Sequence, residues 1–198
     1  MITPRCDSST IIEAISLHCK SSSSLAVAYF YFDFYNEDAR PHIVLRSLIK
    51  QLSLRCASTP DSLAKLFSDS EEGQRSPTSE ELLLTIKSMA VSFENVYLIF
   101  DALDESPYRR EFLTILDQIH RWGLGIFHLL ATSRKDQDIA NLLNTLVSHE
   151  ISMDASLVDS DIRVHVSKTL ERDHDFQSHS AEERKLIETT FTEGAHGM

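Results

Sequence analysis

A chain of 198 residues, 42% of them hydrophobic, has room for one domain with a substantial core and a small appended subdomain. Its formal charge of -11, from 30 acidic and 19 basic residues, argues against a surface built for phosphate backbones, so nucleic acid is not expected as a direct partner. No run reaches the ~18 consecutive apolar residues of a membrane span, and the opening "MITPRCDSST" lacks the apolar core of a signal peptide. Cys6, Cys19 and Cys56 are scattered with no C-x-x-C spacing, which reads as reduced thiols and a cytoplasmic protein away from membranes.

In chain order, "STIIEAISLH" from Ser9 to His18 spaces its apolar residues as a partly buried helix that the preceding serines can cap. After the polar turn "CKSSSS", Leu25 to Phe34 ("LAVAYFYFDF") is aromatic and β-branched, a buried strand with Asp33 at its exit. "HIVLRSLIKQLSLRC" carries an apolar stripe of Ile43, Val44, Leu48 and Leu52, widened by Leu45, Ile49 and Leu54, and is an amphipathic helix. A short helix is expected at "DSLAKLF", then the loop "SDSEEGQRSPTS", then a helix through "TSEELLLTIKSMAVSF" with Thr78 or Ser79 as its cap.

That helix delivers the chain to "VYLIFDALDE", Val96 to Glu105, a continuous apolar strand that runs into three carboxylates. Tyr108 to Arg121 is expected as a helix, Ile126 to Thr132 as a strand, "DIANLLNTL" as a helix and "HEISM" as a weak last strand. Two helical patterns follow, "DASLVDSDIRVHVSKTLERD" and "SAEERKLIETTFTEGAHGM", with no strand between them. Strands alternating with helices imply parallel crossovers. The expected fold class is therefore α/β, with a core over residues 1–155 and the start of a helical subdomain over 156–198.

Two constellations carry chemistry. A carboxylate at the end of a buried strand can hold Mg²⁺ directly or through water, and a neighbouring acid can polarise a water, as in the Walker B strand of phosphoryl-transfer enzymes. In this sequence Asp101 is the metal-side acid, Glu105 the candidate base and Asp104 the acid between them. The plainer alternative is a solvated loop that merely follows a strand. The second constellation is Thr132, Ser133 and Arg134 at the end of the next strand, where a hydroxyl and a guanidinium are suited to meet a γ-phosphate. Its plainer alternative is a turn or helix cap.

The third part of such a site is missing. A P-loop, G-x-x-x-x-G-K-S/T, supplies the amides and the lysine that cradle phosphates, and none of the glycines Gly73, Gly123, Gly125, Gly194 and Gly197 belongs to one. Other chemistries fare worse. His174 and His179 match no zinc spacing, the remaining histidines fit packing or surface positions, and no serine or cysteine has a nucleophile signature.

Taken in order, "SSTIIEAI", "AVAYFYFDF", "ARPHIVLRSLIKQL", "VYLIFDALDE", "LLATSR", "DIRVHV" and "GAHGM" resemble the fungal NACHT-type NTPases of the STAND class, also called nephrocystin-like N-terminal domains, from Ser8 onwards. The resemblance implies an incomplete P-loop NTPase-type (ASCE) parallel sheet with flanking helices and a C-terminal helical segment. It also implies a regulatory module of a larger signalling protein, often one with ankyrin or WD repeats, that binds ATP or GTP with Mg²⁺. Laid on the family pattern, the P-loop lysine falls near Pro4 and its hydroxyl near Arg5, so the motif is absent rather than shifted, and both termini read as cut.

In this fold the P-loop strand lies beside the strand that ends in "TSR". Its loss leaves an unpaired edge that invites pairing with other chains. Three functions remain in play: an impaired regulatory NTPase module, a non-catalytic interaction or scaffold domain derived from that fold, and an unrelated metal-dependent hydrolase. The expected partners are other domains of a longer parent protein, protein partners or a second copy.

Overall fold

Three parallel strands order the molecule in a computed structural model that describes residues 8–33, 39–134, 136–146, 149–151, 164, 166–170, 172 and 180–194. The chain divides into two units, Met1–Val147 and Ser148–Met198. In the first, helix α1 (Ser8–Lys20) leads to β1 (Leu25–Tyr31), followed by α2 (Pro41–Ser53), α3 (Asp61–Asp69) and α4 (Ser79–Ala90). Strand β2 (Asn95–Asp101), α5 (Arg109–Arg121), β3 (Phe127–Ala131) and α6 (Gln137–Leu146) complete it. The sheet order is β1-β2-β3, all parallel, with Leu25 in register with Asn95 and Val96 with Phe127. This open parallel sheet flanked by helices is the arrangement expected of an incomplete P-loop-type α/β fold.

The central position of β2 explains its continuous apolar run, because a strand paired on both sides and covered on both faces has no position to leave polar. Val96, Leu98 and Phe100 point to one face, where they join Ala26 and Ala28 of β1 and the apolar stripes of α2, α4 and α5 in the main core. Phe112 of α5 sits edge-on to Phe100 at 4.9 Å and to Phe32 at 5.1 Å, tying that helix to the carboxyl end of the sheet. Ile99 is buried on the opposite face, where α1 covers β1 and β2 and His18 meets the edge of Tyr97.

Helix boundaries follow local chemistry. Pro41 opens α2, where its missing N–H costs nothing. Thr78 caps α4 in a full capping box with Glu81, and Arg75 grips the same carboxylate at 2.7 and 3.0 Å. Arg55 reaches from beyond α2 to the carbonyls of Cys19, Ser22 and Leu25, satisfying groups at the end of α1 and the start of β1.

Several expectations are corrected in detail. Helix α2 ends at Ser53, so Leu54 lies beyond it and is exposed, and Ile43 lies at the exposed margin of the stripe. The anticipated strand "HEISM" is not formed over its described residues 149–151, and Ile151 is 89% exposed. An isoleucine left this exposed is not packed as a buried strand residue would be, so the described part of the stretch does not serve as a strand. In the second unit, residues 164, 166–170 and 172 are helical and α7 (Ala181–Gly194) follows Ser180, which forms a capping box with Glu183. His165, His174 and His179 lie outside the residues whose side chains are described.

Candidate functional site

The carboxyl ends of β2 and β3 lie side by side because the two strands are register partners from Val96 and Phe127 to Phe100 and Ala131. Each strand then exits into a loop, and the two loops are stitched together. Thr132 N–H donates to the Phe100 carbonyl and Leu103 N–H to the Thr132 carbonyl, both at 2.9 Å. Between them the Thr132 hydroxyl donates to Asp101 Oδ1 at 2.5 Å and accepts the Ala102 N–H at 3.0 Å.

That pattern needs a sharp reversal after Asp101, and Ala102 provides it with a left-handed backbone at φ 56°, ψ 49°. A residue with a Cβ rarely adopts this region. The chain then makes a 3-10 turn over Leu103–Glu105, whose one apolar residue, Leu103, is fully buried and anchors the acids on either side. The Asp104 and Glu105 side chains beside it are partly buried, at 13% and 32% exposure.

The acids are engaged by the neighbouring loop. The Arg134 N–H donates to Asp104 Oδ1 at 3.0 Å, the Arg134 guanidinium lies 3.6 Å from Asp104 Oδ2 and 4.0 Å from Glu105 Oε1, and that side chain is 73% exposed. Ser133 turns away and donates to the Arg134 carbonyl. Five of the six residues singled out by sequence, Asp101, Asp104, Glu105, Thr132 and Arg134, thus form one cross-linked cluster, and Ser133 sits at its margin.

The three carboxylates do not converge on one point: no group of three or more His, Cys, Asp or Glu residues placed to hold a metal ion occurs among the described residues. Asp101 faces Thr132, whereas Asp104 and Glu105 face Arg134. A magnesium ion bound with a nucleotide needs only one or two protein carboxylates, the phosphates supplying further oxygens, and Asp101 suits that role. The lysine and glycine-rich amides that hold the phosphates have no counterpart in this sequence, so the donor set does not amount to a complete Mg²⁺–nucleotide site.

A recess of about 320 Å³ opens next to the acidic turn, lined by Ser106, Pro107, Tyr108, Arg109, Arg110, Glu111 and Asp138, and none of the six candidate residues lines it. Arg109 pairs with Asp136 at 2.7 Å and lies 4.0 Å from Asp138, clamping the start of α6 to the start of α5. Sequence reasoning missed this clamp, because a lone arginine at a helix start gives no sign of its partners twenty-seven and twenty-nine residues away.

Residues 4–134 match the nephrocystin 3 N-terminal family. The chain belongs to that family. All six candidate residues lie within the matched span, which closes on Arg134. In this nephrocystin 3 N-terminal domain the matched region therefore takes in the three strands and both loops of the cluster. No curated protein and no solved structure matches the chain. No helix among the described residues of the domain is long and apolar enough to cross a membrane.

Proposed function

We propose that this domain is a regulatory module of the nucleotide-binding NACHT/STAND type, part of a larger fungal signalling or incompatibility-type protein, with impaired binding and hydrolysis of ATP or GTP. The observation that carries this reading is the cross-linking of the β2 and β3 exits, in which Thr132 orients the Asp101 carboxylate at the edge of the sheet where ligands of open α/β folds sit. In this role Asp101 would be the residue to hold Mg²⁺, Asp104 and Glu105 would stand on the water side, and Thr132, Ser133 and Arg134 on the phosphate side. The chain's own residues supply half of such a site.

A second reading, a scaffold domain that keeps the fold without the chemistry, is favoured by one specific contact. Asp104 already accepts the Arg134 backbone N–H at 3.0 Å and lies 3.6 Å from its guanidinium, so this acid has contacts that require no metal. Equilibrium binding of a fluorescent ATP analogue with Mg²⁺, compared between the unaltered protein and Asp101→Ala, separates the two. Tight, Mg²⁺-dependent binding that the substitution abolishes supports the nucleotide module; no binding at any accessible concentration supports the scaffold.

A further inference from the structure

A buried hydroxyl without a partner stands directly after the acidic turn. Ser106 closes that turn by donating its N–H to the Leu103 carbonyl at 3.2 Å, and its backbone is extended, at φ -70° and ψ 123°, as the following Pro107 requires. The residue is only 6% exposed, and its Oγ meets no hydrogen-bond partner. A buried hydroxyl in that state costs stability unless something from outside the chain pairs with it. Ser106 lines the recess of about 320 Å³ at the start of α5. Rotation about its single side-chain torsion is enough to turn the hydroxyl towards an occupant.

The first turn of α5 lines the same recess. Tyr108, which precedes the helix, supplies no side-chain cap, and Phe112 N–H donates to the Tyr108 carbonyl at 3.0 Å. No acceptor among the described residues meets the N–H groups of Arg109, Arg110 and Glu111. A helix of thirteen residues therefore begins with three unmet donors and a partial charge of about +0.5. Arg109 is already committed to Asp136 at 2.7 Å and holds the wall in place, whereas Arg110 is 87% exposed with Asp138 at 3.4 Å.

We propose that this recess binds a phosphate group, with the Ser106 hydroxyl, the N–H groups at the start of α5 and the Arg110 guanidinium as its donors. The proposal goes beyond the reading of the Asp101 cluster and does not depend on it. Charge selects phosphate over a carboxylate. Asp138 already sets one negative charge beside Arg110, and a ligand carboxylate brings no more than the one it displaces. A phosphate group brings about -1.5 to -2 at pH 7 and enough oxygens to meet a hydroxyl, helix amides and a guanidinium together. Asp138 and Glu111 also line the recess and lower the affinity, so Asp138 is a brake that substitution can release. The overall charge of -11 acts at long range and is screened over about 8 Å in physiological salt, while these donors act at contact.

The test titrates inorganic phosphate into the full chain at constant ionic strength, reading heat and backbone amide NMR shifts, with acetate as the control. The expected result is saturable binding that moves the amides of Arg109, Arg110 and Glu111. ADP without Mg²⁺, followed on the same amides, separates the sources: tighter binding than phosphate assigns the recess to the phosphates of a nucleotide, and equal or weaker binding assigns it to a small phosphate ligand. Ser106→Ala is expected to weaken phosphate at least about fivefold while the thermal midpoint of the free protein stays the same or rises, a combination that a purely structural hydroxyl does not give. Arg110→Gln changes an exposed residue without risk to folding and is expected to weaken phosphate about tenfold, and Asp138→Asn is expected to tighten it. Failure to saturate, an equal response to acetate, amide shifts that spare the first turn of α5, or binding indifferent to both Ser106→Ala and Arg110→Gln each overturns the proposal.

Discussion

The Thr132 hydroxyl lies between Asp101 Oδ1, to which it donates, and the Ala102 N–H, which it caps. A side chain thirty-one residues downstream of Asp101 therefore sets both the direction of the carboxylate and the strained turn that follows it. Any chemistry or partner contact at Asp101 depends on this pair, because without it the carboxylate is a mobile surface acid at the end of a strand.

Thr132→Val keeps the shape and deletes the hydroxyl, leaving the Ala102 N–H and an Asp101 oxygen without their partner. A loss of about 1–3 kcal/mol is expected, measured by urea denaturation, with Thr132→Ser close to the unaltered protein. Equal stability of the Val and Ser variants would remove the hydroxyl from the account of the turn.

Ala102 holds a left-handed conformation that its Cβ disfavours. Ala102→Gly relieves that strain and is expected to raise stability by up to about 1 kcal/mol, partly offset by the greater freedom of glycine in the unfolded chain. The readout is the thermal midpoint, and a lower midpoint would mean that the alanine methyl packs favourably enough to outweigh the strain.

Arg134→Ala tests the exposed end of the cluster. Its guanidinium lies 3.6 Å from Asp104 and is 73% exposed, so a change below about 1 kcal/mol is expected, while the bond from the Arg134 backbone to Asp104 persists. If the domain binds the ATP analogue, the same substitution is expected to weaken that binding. A large loss of stability instead would mark Arg134 as a structural residue.

The Glu81 carboxyl is held down from 4.5 to about 2, chiefly by its bonds to Arg75 and then by the Thr78 backbone. A carboxyl depressed on folding adds stability that is present above its ordinary pKa and is lost as pH falls through the folded value. Glu81→Gln is therefore expected to lower the melting temperature at pH 7 and to converge on the unaltered protein as pH falls from 4.5 towards about 2. A difference between the two that is independent of pH would exclude the charge as its source.

Local pattern alone located the strands and most of the helices of the first unit. The run "VYLIFD" could be recognised because burial on both faces removes every polar position, and the start of α4 because Thr78 and Glu81 satisfy backbone groups within one turn of each other. The six candidate residues were legible for a related reason: they stand where a buried strand runs out of apolar residues. Over residues 149–151 the "HEISM" pattern misled, since Ile151 stays exposed. Tertiary structure alone decided what those residues touch. That Thr132 serves Asp101, that Arg134 covers Asp104 and that Gln51 closes the outer edge of β1 all follow from strand order and register. Those are set by long-range packing in the core, and the spacing of residues along the chain carries no record of them.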